Sequence, residues 1–457
     1  MAILRRSLAV LALSSLATAA CGGPDPKLGS RNELSDKWFQ RAQTSFKHGD
    51  MDDAATAVEE AVKITPKDEE TRILAARIAI TDLDYPRVLK HTEGLESTEA
   101  HMLRGRAFWY AGDIERARGE LETMLKDPEA KDPWAREVVK LTRSGRGRKP
   151  FHMDGGIVSA VEMPTAGSLL IVPCELDGEN ILAVAATGVA ELTIDAATRK
   201  EPAWVSLRFG DLEVKDVPAV TQDLSALSKQ LGAPIKALLG VNVLRHLHVT
   251  FDRRGSQFVV RRDEPGAPPD ASRVRLHYVR GGGMLMTAHM SQKAEAPTSF
   301  LVDTSQPFPL ALFDETWTKA GVNPASLKSD PSLPANLKAG YIPYMRVGAF
   351  ELPQIPAVQG MDLRDIKSRI DIDFGGVVGA GLLSAFRVTF GDQGRFIWLE
   401  SDPGPLEGPP DAAQPGAQPA PGAQSGPGAQ PGAQPPAAVE ETPAKKPAAK
   451  PAAKKKP

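Results

Sequence analysis

The 457-residue chain has only two cysteines, Cys21 and Cys174, too few for a disulfide framework, so its cores must hold it together. His-Glu-x-x-His and Cys-x-x-Cys are both missing. His246 and His248 stand too isolated for metal ligands, and by alternation they share one strand face. No metal or cofactor is expected. A surplus of either charge is also missing: 55 Lys and Arg stand against 57 Asp and Glu, for a net charge of -2. That balance gives no global pull toward nucleic acid or anionic membrane, and no nucleic-acid-binding module is recognisable. The glycine-rich "RGGGM" from Arg280 to Met284 lacks the following Lys-Ser/Thr of a phosphate loop and reads as a hairpin turn. What the chain does have is 42% hydrophobic residues, enough to fill two or three domain cores.

The N-terminus reads as an export signal. Arg5 and Arg6 precede the apolar "SLAVLALSSLATAA", which is too short to span a bilayer comfortably. Thr18-Ala19-Ala20-Cys21 resembles the bacterial lipobox, with Thr18 departing from the usual Leu or Val. The resemblance implies lipidation at Cys21 and a flexible tether beginning at Gly22. Gly22 after the cysteine further implies retention at the outer membrane. Cys174, inside the strand-like "LLIVPCEL", reads as a buried small apolar side chain, because nothing like a Cys-His pair surrounds it.

From Asn32 to about Leu141 apolar residues recur three and four apart, the helical period. The pattern also repeats. Trp38, Ala42, Gly49-Asp50, Ala54, Val58, Ala61 and Pro66 form one unit, and Gly105, Phe108, Gly112-Asp113, Ala117, Leu121 and Pro128 form another. A weaker unit around Ala76, Asp84 and Val88 lies between them. This spacing resembles the tetratricopeptide repeat, in which small residues let paired helices approach and each pair buries its face on the next. "DPWAREVVKL" reads as the capping helix. The resemblance implies a partner-binding module.

After the Gly- and cation-rich linker "TRSGRGRKP" the period becomes strand-like and stays so to about Glu400. This region is duplicated. "LRFGDLEVKDVPAV" (207–220) aligns without a gap with "MRVGAFELPQIPAV" (345–358). "LLGVNVLRHLHVTFDRRGSQFVV" aligns likewise with "VVGAGLLSAFRVTFGDQGRFIWL", pairing Val249-Thr250-Phe251 with Val388-Thr389-Phe390. From Ser401 onward Pro, Ala, Gly and Gln dominate, and nothing there can form a core. The Lys-rich tip from Ala444 is expected to adhere to polyanions.

In each lobe an apolar strand runs into a short polar loop: "FLVDTS" with Asp303, Thr304 and Ser305 in the second, "ILAVAATG" with Ala186, Thr187 and Gly188 in the first. Together with the "apolar-apolar-Gly" and "V-T-F" pieces, this order resembles the retropepsin-like aspartic proteases of bacteria. The resemblance implies one catalytic Asp per lobe. Two carboxylates are needed, the charged one activating water and the protonated one polarising the peptide carbonyl. Asp303 supplies one, whereas Ala186 has nothing to ionise and makes the first site degenerate. Glu191 and Asp195 follow Ala186 but fall on the far side of the turn. The flap implied by the family fits between about Asn323 and Tyr344 in lobe two, and has no room in lobe one.

The expected architecture is multidomain α plus β: an N-terminal tetratricopeptide-like α-solenoid, a bilobal all-β aspartic-protease-like domain and a disordered tail. Its boundaries are 1–20 signal peptide, 21–31 tether, 32–143 helical repeats, 144–150 linker, 151–264 first lobe, 265–271 linker, 272–402 second lobe and 403–457 tail. The expected function is an envelope lipoprotein, anchored at the outer membrane through Cys21 and facing the periplasm or the cell surface. It would bind an extended peptide or protein segment between its lobes without cutting it, and a protein partner on its repeats. The alternatives are an active aspartic endopeptidase using Asp303, Thr304 and Ser305, its second carboxylate supplied by an unrecognised residue or by a second copy in a homodimer, and a purely structural assembly factor.

Overall fold

A computed structural model describes residues 31–401, apart from 165–166, 280–281, 294–295, 332, 364–365 and 368–369. The export signal, Cys21, the tether before Arg31 and the Lys-tipped tail lie outside the described residues.

An N-terminal helical region precedes a β-rich region. The helices are α1 (Glu33–Lys47), α2 (Met51–Ile64), α3 (Glu69–Thr81), α4 (Tyr85–Thr92), α5 (Thr98–Tyr110), α6 (Ile114–Met124) and α7 (Pro133–Ser144). Each starts on a side-chain cap. Asn32, Asp50, Asp68, Asp84, Ser97, Asp113 and Asp132 each accept the backbone N–H three residues on, satisfying one of the donors a helix start leaves open. The helices pair as α1 with α2, α3 with α4 and α5 with α6. Ala42, Ala54, Val58 and Ala61 are fully buried in the first pair, Ala117 and Leu121 in the third.

The turns explain why the middle unit is hard to read from sequence. Gly49 and Gly112 take φ of +79° and +80° before their capping aspartates, a conformation glycine adopts without steric cost. The middle pair uses Leu83 there, at φ +57°. Leucine is disfavoured in that conformation, but Leu83 is buried and its side chain joins the core of the β region.

The β region contains two lobes of matching topology. In lobe one, Ile171–Leu176, Glu179–Ala186, Ile235–Gly240, Leu192–Asp195, Leu212–Gln222 and Ala203–Phe209 pair in that order. Ala203–Phe209 also pairs back with Ile171–Leu176, which closes a six-stranded barrel. In lobe two, Met284–Ala288, Thr298–Asp303, Gly376–Gly379, Leu310–Leu312, Phe350–Gln359 and Lys338–Val347 follow the same order. Here the return pairing is one bridge, His289 to Arg346, at the residue aligned with Arg208 of lobe one.

A third sheet joins the lobes. Thr250–Asp252 of lobe one pairs antiparallel with Phe386–Gly391 of lobe two, and Thr250 lies opposite Thr389. Their hydroxyls meet at 2.8 Å, and Phe251 meets Phe390 edge-on at 6.0 Å. The duplicated V-T-F pieces therefore pair with each other, as residues related by a local two-fold axis do.

The two histidines depart from the sequence expectation. His246 ends the short helix Val241–His246 and His248 lies in the turn beyond it, at φ +43°, so they share no strand face. Strand alternation fails because the chain turns helical directly after Gly240. His246 stacks on Phe151 at 4.1 Å, and burial holds its pKa well below the ordinary value. Gly282 and Gly283 lie in the turn between His277–Tyr278 and Met284–Ala288, consistent with a hairpin, while Arg280 and Gly281 lie outside the described residues.

The helical region packs against both lobes. Phe39, Phe46, Leu74 and Ile78 share a buried cluster with Leu285, Leu301, Ile372 and Phe374 of lobe two. A Cβ added at Gly49 would run into the Ser299 side chain, so the turn lies flush on that lobe. Asp82 accepts from His277 Nδ1 at 2.7 Å and from Arg275 Nη2 at 3.0 Å, and these partners hold its carboxyl below the ordinary range despite burial. On the lobe-one side, Trp204 Nε1 donates to the Leu141 carbonyl at 2.9 Å and its ring lies 6.0 Å from that of Trp109.

Candidate functional site at the junction of the lobes

Two strand ends carry the site. Glu179–Ala186 runs parallel to Ile235–Gly240 with Ala186 opposite Gly240. Thr298–Asp303 runs parallel to Gly376–Gly379 with Asp303 opposite Gly379. Ala186 and Asp303 therefore occupy equivalent places in the two lobes.

The next residue in each lobe ties the loops together. Thr187 N–H donates to Thr304 Oγ1, and Thr304 N–H donates to Thr187 Oγ1, each at 3.1 Å. The Thr187 hydroxyl donates to the Val302 carbonyl at 2.8 Å, and the Thr304 hydroxyl to the Ala185 carbonyl at 2.7 Å. Both threonines are fully buried. The four bonds form a reciprocal clasp in which each threonine satisfies groups of the opposite lobe, as buried backbone groups require.

Gly188 allows the loops to meet this closely. A Cβ there would fall 2.5 Å from Asp303 Cγ, so the Ala-Thr-Gly loop of lobe one lies directly against the carboxylate of lobe two.

Asp303 is half-buried, and donors occupy both of its oxygens. Oδ1 accepts the Ser305 backbone N–H at 3.0 Å and the Ser305 hydroxyl at 2.6 Å, and Oδ2 accepts Gln306 Nε2 at 3.3 Å. The Ser305 hydroxyl and N–H thus close a local turn on the carboxylate. On the other side, the fully buried Ala186 sits in an apolar cluster with Val184, Leu224, Ile235 and Leu238.

Neither nearby acid of lobe one replaces the missing carboxylate. Asp195 accepts the Leu224 and Ala197 backbone N–H groups at 3.3 and 3.4 Å, with Lys236 Nζ at 3.8 Å. Glu191 turns toward the helices. Its Oε1 accepts Trp109 Nε1 at 3.0 Å and Trp134 Nε1 at 3.2 Å, and its Oε2 accepts Asn242 Nδ2 at 3.2 Å. Burial pushes its carboxyl above the ordinary glutamate value of 4.5, partly countered by those donors and by Arg245. Cys174 is buried and free, its thiol pushed up to about 12 by burial, which removes it as a nucleophile.

The lobes differ beside the site. Lobe one passes from Leu192–Asp195 to Ala203–Phe209 through a short turn. Lobe two inserts a helix, Asp314–Lys319, and a two-residue strand, Lys328–Ser329, which pairs with Lys338 and Ala339 to close a hairpin within the span where a flap is expected. Among the described residues no group of His, Cys, Asp and Glu is arranged to hold a metal ion.

Sequence reasoning passed over the Glu191 cluster with Trp109, Trp134, Asn242 and Arg245. Its one signal is an acidic residue embedded in the otherwise apolar run "TGVAELTI".

No protein-family model matches the chain, and no curated protein matches it. Among solved structures, the Arabidopsis OM64 TPR domain is 15% identical at a TM-score of 0.23, covering 24% of this chain and 96% of that domain. The first TPR of Spaghetti (RPAP3), bound to the HSP90 peptide SRMEEVD, is 15% identical at a TM-score of 0.23, covering 25% of this chain and 98% of its own. A retropepsin-like aspartic protease from Rickettsia conorii is 19% identical at a TM-score of 0.21, covering 28% of this chain and 90% of its own.

Proposed function

We propose that the β region is a degenerate aspartic-protease-like unit that holds an extended peptide segment without cleaving it, braced by a tetratricopeptide-like helical arch. One observation carries the reading: across the threonine clasp, the place equivalent to Asp303 is filled by Ala186. A single carboxylate cannot be general base and proton donor in the same step. The clasp itself is intact, so what remains is a fixed inter-lobe junction flanked by half-buried Asp303, Ser305, Gln306 and Phe308. Extended peptides are held by main-chain hydrogen bonds along strand edges, which the lost acid does not affect. The repeats supply protein contacts, and part of that role is internal, since α1, α3, α5 and α7 all meet the lobes. To test binding, immobilised protein is offered a pool of random decapeptides and the retained species are weighed. The expected result is enrichment of uncut peptides, with the same set retained by Asp303→Asn; no enrichment by either protein would sink the reading.

We further propose that Cys21 is lipidated and holds the protein at the outer membrane, a reading supported by the sequence around it. Metabolic labelling with a radioactive fatty acid should mark the wild type and leave Cys21→Ala unlabelled. Equal labelling of both would overturn the anchor.

A further inference from the structure

The strand face from which Asp303 projects is not bare. Side chains alternate along Thr298–Asp303, so Ser299, Leu301 and Asp303 share one face, while Phe300 and Val302 point into the core of the β region. Across the sheet the same face continues in register as Leu285, Leu301, Val377, Ala311 and Val358. All five are buried in one cluster with Phe39 and Phe46 of α1 and Leu74 and Ile78 of α3. The helical region reaches the strand itself at Ser299, which lies under Gly49 in the turn between α1 and α2. Beside it, the Asp373 N–H donates to the Lys47 carbonyl at 2.6 Å. Ser299 and Leu301 are each only 5% exposed, so the cover runs to within two residues of half-buried Asp303. Lobe one closes its matching face with its own chain, where Val184, Ala186 and Leu238 cluster with Leu224, Leu227 and Leu231.

We propose that the helical arch is an autoinhibitory cover on lobe two: α1, α3 and the turn after α1 occupy the wall that a peptide running past Asp303 would use, so arch and peptide exclude one another. The proposal rests on the reading that the junction holds an extended peptide. Such a peptide must lie on the side of the strand that carries the carboxylate, and on lobe two that side is taken from Leu301 onward. The cover is fastened at its rim by polar contacts, with Asp82 accepting from His277 and Arg275, and these can be removed without altering the wall.

Gly49 offers a way to lift the cover. Asn tolerates positive φ better than most residues with a side chain, but its Cβ would run into the Ser299 hydroxyl, so Gly49→Asn pushes the turn off the strand. Gly112→Asn is the control, at a matching φ of +80° with nothing within 4 Å of the added Cβ. Asp82→Ala loosens the same contact from the rim. Full-length protein carrying Cys21→Ala and Ser299→Cys is treated with a maleimide, the other thiol, Cys174, being buried. In parallel, the same variants with Ser299 intact are offered the pool of random decapeptides. Gly49→Asn and Asp82→Ala should each speed labelling at position 299 about tenfold and raise the amount of peptide retained, with Gly112→Asn unchanged in both. Labelling that neither variant speeds would overturn the cover, as would faster labelling with no gain in retained peptide when the unaltered protein retains some. No retention by any of these proteins would instead sink the peptide-holding reading, and this role of the arch with it.

Discussion

Thr187→Val and Thr304→Val should each lower the stability of the β region by about 2–4 kcal/mol, measured by urea unfolding. Valine keeps the shape but can neither donate nor accept. In Thr187→Val the Val302 carbonyl loses its donor and the Thr304 N–H loses its acceptor, both buried. Thr304→Val strands the Ala185 carbonyl and the Thr187 N–H in the same way. The double variant should cost less than the sum, because the two side chains serve one clasp. A strictly additive pair, or losses under about 0.5 kcal/mol, would mean the clasp contributes little in solution.

Glu191→Ala should be comparably damaging, at about 3 kcal/mol or more, by leaving the indole N–H groups of Trp109 and Trp134 and the Asn242 amide without their acceptor. The same tryptophans report the loss through their fluorescence. Glu191→Gln separates shape from charge. The folded state raises the Glu191 pKa above 4.5, so the folded protein holds this proton more tightly than the unfolded chain. The contribution is therefore fully present below about pH 4.5 and is lost as pH rises through the folded value. Glu191→Gln should remove that decline, so its stability relative to wild type improves with rising pH over this window. A difference between the two proteins that does not change with pH would show that Glu191 does not titrate there.

The two predictions sit at the two places where the sequence was most and least informative. The equivalence of the two loops was legible, because Thr187-Gly188 survives beside Ala186 and two gapless alignments showed that the lobes are copies; the reciprocal threonine bonds between them were not. The junction sheet follows from the same duplication, since the V-T-F pieces pair across the axis. Helix positions were legible because Gly-Asp turns and small residues recur at fixed spacing.

Docking between the helices and the lobes was not legible. Its determinants, Leu83, Trp109, Trp134 and Glu191, are scattered over more than a hundred residues, and each alone resembles an ordinary core or surface residue. Leu83 even weakens the repeat signal, because it fills a glycine's place in order to pack on the lobes. The histidines show the limit of period reading. The alternation through Arg245 to His248 matches a strand, but the chain is helical to His246 and turns at His248, and half-buried His246 stacks on Phe151.

The helical arch also ties the two halves of the duplicated region to one another. It contacts lobe two through Gly49, Asp82 and Phe46, and lobe one through Trp109, Trp134 and Leu141. A hinge between lobes, which an enzyme uses to admit and release substrate, is restrained by such a brace.

The central claim is that one carboxylate at the lobe junction, with Ala186 at the equivalent place of the other lobe, does not hydrolyse peptides. The most direct measurement incubates wild type and Asp303→Asn with a peptide library from acidic to neutral pH, with products read by mass spectrometry over a range of protein concentrations. The account predicts no new peptide termini from either protein under any of these conditions. Cleavage by the wild type that disappears in Asp303→Asn would contradict it and make Asp303 a working catalytic residue.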